Sequence, residues 1–149
     1  MRRAMLMIAA VGILLIATAV PATGRPSNPL VGAWENVDSF DGSDQRVTIA
    51  GSGQFRYVDD GASACLNAGL GFVPASLRGT GSFGTVGGSP TFSLTADLYC
   101  HVRGPGGRQL LFEVANLVFT YDAASDTLTD SLGQGCWHRA GRPGACALP

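Results

Sequence analysis

The chain has 149 residues, ten of them basic and eleven acidic, and contains no lysine. Past residue 22 the balance is eight basic against eleven acidic residues, which leaves no basic stripe and argues against nucleic acid and anionic lipid as partners. The absence of lysine also points to a GC-rich bacterial genome.

Arg2 and Arg3 precede an apolar run from Ala4 to Val20, which Pro21-Ala22-Thr23-Gly24 follows. That is the order of a secretory signal peptide, with cleavage expected after Ala19 or Ala22. The run is shorter than the roughly 18 apolar residues of a spanning helix and stops at a proline. The expectation is a signal over 1–22 and one exported domain over 23–149, extracellular or periplasmic, monomeric, and outside the membrane once the signal is removed. About 125 residues are enough for a single modest core.

Beyond the signal, apolar residues recur with period two rather than at helical spacing, between clusters of glycine, proline, asparagine and aspartate. The pattern predicts strands over 30–36, 46–50, 54–58, 77–86, 91–100, 109–121, 127–131 and 136–140, with at most one helical turn around 65–70. In 91–100, Phe92, Leu94, Ala96, Leu98 and Cys100 share the expected buried face, and Thr91, Ser93, Thr95, Asp97 and Tyr99 the other. In 109–121 the phase changes between Leu110, Phe112, Val114 and Leu117, Phe119, Tyr121, so a bulge near Ala115-Asn116 is needed to keep one face inward. The fold class is all-β: an antiparallel up-and-down barrel or a sandwich of about eight strands.

Cys65, Cys100, Cys136 and Cys146 are an even set in an exported chain, which reads as two disulfides. Close C-x-x-C pairs, which zinc sites need, are absent. Spacing alone leaves three pairings open. In a meander, consecutive links alternate between the two ends of the sheet, so Cys65, Cys100 and Cys136 fall at one end. A turn at Gly141-Arg142-Pro143-Gly144 brings Cys146 back to it, which favours Cys65–Cys100 and Cys136–Cys146.

The chemistry-bearing residues read mostly as structure. Asp122, Asp126 and Asp130, four residues apart, suit a turn and strand ends better than a calcium loop. Asp38 to Asp44 is a polar loop around Asp41-Gly42. The G-x-G-x-x-G string from Gly79 to Gly84 is followed by TVGGSPTFSL, which cannot open the helix that a dinucleotide site requires. His101 and His138 have no local serine elbow, and Glu35 and Glu113 are isolated carboxylates. No catalytic residue, metal ligand or cofactor is assigned.

Gly32-Ala33-Trp34 near one end of the exported region and Trp137-His138-Arg139 near the other resemble the lipocalin, or broader calycin, pattern. The resemblance implies that Trp34 plugs one end of a barrel with Arg139 over its ring, a cation–π contact, and that a small apolar ligand sits inside. The family's carboxy-terminal helix has no counterpart; a Gly/Pro tail stands there. The leading expectation is a secreted, non-catalytic binding protein. One alternative is a protease inhibitor acting on an extracellular partner by displaying Arg139 on the Cys136–Cys146 loop. Another is a hydrolase with a spatially assembled site. An exposed Arg139 marks the inhibitor; an Arg139 buried against Trp34 marks the barrel.

Overall fold

A computed structural model describes residues 28–104, 107–133, 135–142 and 146, with the backbone alone for 112–115. The expected signal, 1–22, lies outside the described residues, as do Pro143 and Gly144 of the tail turn. Nine strands follow in chain order: β1 (Gly32–Val37), β2 (Asp44–Ile49), β3 (Gln54–Ala62), β4 (Val73–Thr80), β5 (Ser82–Val86), β6 (Ser89–His101), β7 (Arg108–Asp122), β8 (Thr127–Asp130) and β9 (Cys136–Arg139). A five-residue helix, α1 (Ser63–Asn67), stands between β3 and β4.

All pairings are antiparallel, and the order β4-β3-β2-β1-β9-β8-β7-β6 closes on itself because β4 also pairs with β6, from Ala75 opposite Cys100 to Arg78 opposite Asp97. The result is a closed eight-stranded barrel, with β5 folded as a hairpin onto the first part of β6. Closure satisfies the backbone groups that an open sheet leaves at its edges. Two disulfides, Cys65–Cys100 and Cys136–Cys146, staple the fold.

The predicted strand over 77–86 is two strands, and glycine is the reason. A Cβ on Gly81 would meet the Phe92 ring and the Ser93 carbonyl, and one on Gly79 would come within 3.2 Å of the Thr95 carbonyl. The bare backbone lets the chain cross β6 closely while it leaves the barrel wall for β5. The same glycines account for the G-x-G-x-x-G string: they serve strand packing.

Alternation places side chains as expected along most of β6, where Phe92, Leu94, Ala96, Leu98 and Cys100 are all buried. Thr91, expected outside, is buried as well, because it lies between Gly84 of β5 and Thr120 of β7. In β7 the register shifts where Leu94 faces Leu117 and Ala96 faces Val114, the bulge expected at Ala115-Asn116. Asn116 takes a left-handed φ of 57° there, a conformation asparagine tolerates better than most residues. A second shift, between the Leu98–Phe112 and Tyr99–Leu110 pairs, turns Leu110 out to solvent and Leu111 toward the core. The expectation that Leu110 is internal is corrected by that second bulge.

Candidate functional site

The two ends of the barrel are built from different chemistry. At one end lie the start of β1, the end of β9 and the β7–β8 turn. Trp34 is fully buried there, donates from Nε1 to the Leu30 carbonyl at 3.0 Å, and meets Tyr121 edge-on at 6.2 Å. The Arg139 guanidinium lies over the Trp34 ring, 3.9 Å from its centroid. It donates to the Val31 carbonyl at 3.0 Å, to the Pro29 carbonyl at 2.5 Å and to Asp126 Oδ1 at 3.3 Å. Gly32 has φ 140°, and a Cβ there would stand 2.9 Å from an Arg139 nitrogen; a bare backbone at this position makes room for the arginine. This end is a plug.

At the other end a cavity of about 320 Å³ enters the barrel. Its construction follows from β1, β2 and β3, whose inward positions change from apolar to polar in the same direction. Trp34 gives way to Asn36 and then Asp38, Ile49 and Val47 to Gln45, and Phe55 to Tyr57 and Asp59. On the facing side, β4, β6 and β7 stay apolar, with Leu77, Leu98, Leu117 and Phe119 on the lining and Trp137 beside them. The cavity therefore has one polar wall and one hydrocarbon wall.

The polar wall is a connected network. Asn36 Nδ2 donates to Gln45 Oε1 at 3.0 Å. Gln45 Nε2 donates to both Asp38 Oδ2, at 3.0 Å, and Asp59 Oδ2, at 3.3 Å. Asp59 also accepts from the Tyr57 hydroxyl at 2.8 Å and from the Gly61 amide at 2.9 Å; Asp38 accepts the Phe40 amide at 2.8 Å. Both carboxylates are almost fully buried. Burial, reinforced by Asp41 and Asp59, pushes the Asp38 carboxyl above its ordinary value. Burial and the Asp59 charge push the Tyr57 phenol far up, so it stays a donor. Asp130, also on the lining, accepts from Trp137 Nε1 at 2.8 Å and from the Leu132 amide.

Loops hold this mouth in place. Asp41 accepts the Ser43 amide and, across the chain, the Ser63 amide at 2.9 Å. That second bond caps α1, whose own N-cap, Ala62, has no side-chain acceptor. Cys65 of α1 is bonded to Cys100 at the end of β6, so the helix is tied to both walls.

The three aspartates spaced by four do three different things. Asp122 accepts the Ala124 amide and the Ser125 hydroxyl, as a turn residue. Asp126, left-handed at φ 55°, joins Tyr121 and Arg139 in the plug. Asp130 faces the cavity. Among the described residues no three histidine, cysteine or acidic side chains converge as a metal site.

The remaining candidates are dispersed. His101 Nε2 lies 2.7 Å from Ser76 Oγ, but among the described residues no acid orients the other ring nitrogen. His138 Nδ1 meets its neighbour's carbonyl. Glu35 is paired with Arg46 on the outer face, and that bond, with the Gly141 amide, holds its carboxyl below the ordinary value. A concavity of about 670 Å³ lies around this pair, between Arg56, Asp60 and His138, where the strands present their solvent faces. The Glu113 side chain lies outside the described residues. The sequence reading missed the Asp38, Gln45, Tyr57 and Asp59 network. The visible signal was a tyrosine and an aspartate, Tyr57 and Asp59, in the inward phase of β3, where the alternation calls for apolar residues.

No protein-family model, curated protein or solved structure matches this chain. The barrel and its two ends therefore carry the functional argument alone.

Proposed function

We propose that the protein is an exported, non-catalytic binding protein that holds a small organic molecule in the barrel cavity. The observation that carries this reading is the asymmetry of the barrel: one end is sealed by Trp34 and Arg139, while the other opens into about 320 Å³ of lined space. A cavity of that size, apolar over one wall and carrying few placed polar groups, has the make-up of a small-molecule site. The plugged end resembles the lipocalin arrangement, which favours the same reading. Two disulfides suit an oxidising, extracytoplasmic compartment. Against the protease-inhibitor alternative, the Arg139 side chain is only 16% exposed and is held by Asp126, so it is not offered as bait. The hydrolase alternative has the Ser76–His101 contact in its favour, but neither residue lines the barrel cavity.

The test is a ligand screen by protein-observed NMR or thermal shift with neutral aromatic probes such as indole, on the parent and on Leu98→Trp, which fills the cavity from its apolar wall. Saturable binding to the parent, lost in the variant, is the expected outcome. Equal binding to both would place the ligand elsewhere.

A further inference from the structure

We propose that the ligand is a small amphiphilic amine, its ammonium group seated between Asp38 and Asp59 and its apolar body against Leu98, Leu117 and Phe119. This rests on the binding reading above and narrows it to one ligand class.

The argument begins with charge. Asp38 and Asp59 are 4% and 3% exposed, and they accept from one shared nitrogen, Gln45 Nε2. Every other donor to them is neutral: two backbone amides and the Tyr57 phenol. Among the described residues no arginine or histidine pairs with either one. Buried carboxylates are ordinarily paired with cations, and two that share one amide donor also repel each other. Burial, with repulsion from Asp41 and Asp59, pushes the Asp38 carboxyl above its ordinary value. An ammonium entering from the mouth relieves both costs at once and donates charge-assisted hydrogen bonds to the carboxylate lone pairs.

The choice among cations follows from the rest of the lining. A calcium ion takes six to eight oxygen ligands, and among the described residues no group of three acidic or other metal-ligating side chains converges. The facing wall offers hydrocarbon and rings instead, which is useless to a bare ion and suited to an amine's organic part. Tyr57 and Trp137, edge-to-face with centroids 6.2 Å apart, both line the cavity and add aromatic surface for the organic part of such a ligand. The cavity thus reproduces, wall by wall, the two halves of an arylalkylamine.

The experiment uses a matched set of phenethylamine, 2-phenylethanol and 3-phenylpropionate, titrated calorimetrically into the disulfide-intact protein, with calcium chloride as a separate titrant. We expect the amine to bind at least about tenfold more tightly than the alcohol, with no binding of the carboxylate or of calcium. Asp59→Asn should cost the amine about tenfold or more while leaving the alcohol unchanged, with Leu98→Trp abolishing both. Alcohol binding as tight as amine binding would overturn the amine assignment while preserving the binding reading. Calcium binding that is lost in Asp59→Asn would replace the amine with a metal. Silence from all three organic probes would reject the amine, and a positive indole screen beside it would show that the broader reading survives.

Discussion

The plugged end and the open end use the same materials, a tryptophan, an aspartate and strand-end polar groups, to opposite effect. At the plug, Arg139 supplies a positive charge, so Asp126 is paired and the ring of Trp34 is covered on its face. At the mouth, Asp38 and Asp59 are held by neutral donors, Trp137 donates to Asp130, and space is left between the walls. A half-buried carboxylate with its own arginine is a structural joint. A buried carboxylate bonded only to amides and a phenol carries a desolvation cost that its neutral partners do not fully offset.

That contrast can be broken most forcefully at the plug. Trp34→Ala removes a fully buried ring together with its cation–π and hydrogen-bond partners and should cost about 4 kcal/mol, measured by denaturant unfolding. Leu132→Ala at the mouth, where the side chain is 56% exposed, should change stability by less than about 0.5 kcal/mol. Comparable losses at both ends would mean that the mouth is as much a structural core as the plug.

Cys65–Cys100 closes a separation of 35 residues and ties α1 to β6. Replacing both cysteines with alanine should cost about 4 kcal/mol on the chain-entropy model. Hydrogen exchange should rise first around α1 and the cavity mouth and least around Trp34. A uniform rise would show that the mouth does not open separately from the rest.

The aspartate series sharpens the comparison within one stretch of chain. Asp126→Asn keeps the left-handed backbone and an acceptor oxygen but loses the charge opposite Arg139, so a loss of about 1 kcal/mol is expected. Asp122→Asn, on the exposed turn, should leave the thermal melt unchanged, and neither variant should create or remove a calcium response. A calcium-dependent melting shift that disappears in either variant would reveal a metal role for these residues.

The smallest effect concerns pH. Asp38 has its folded pKa raised, so the folded chain holds that proton more tightly than the unfolded chain does. Its contribution to stability is complete below the unfolded aspartate value of about 3.9 and is lost as pH rises through the folded value. The unfolding free energy of the parent minus that of Asp38→Asn should therefore fall as pH rises above the unfolded aspartate value of about 3.9. A difference that is flat or rises with pH would mean that Asp38 is already compensated by a cation.

The fold was largely legible in the residues. Period-two alternation, the bulge at Ala115-Asn116 and the punctuation by glycine and proline all report local geometry, which a strand imposes wherever it ends up. The meander argument also led to the observed disulfides, because strand direction alternates whether a sheet is open or closed. Leu110 was misread because a second bulge has no mark in its own sequence; it exists only where β7 must stay in register with β6.

The cavity was not legible for a stronger reason. Asp38, Gln45, Tyr57 and Asp59 sit on or beside three strands and, read singly, are ordinary polar residues of a β domain. Only the β4–β6 pairing that shuts the barrel turns their inner faces toward Leu98, Leu117 and Phe119. By itself the sequence determined an antiparallel all-β chain with paired cysteines, since alternation and turn chemistry act over a few residues. Which polar groups lose their water, and what faces them across the gap, was decided by closure, which joins residues far apart in the chain.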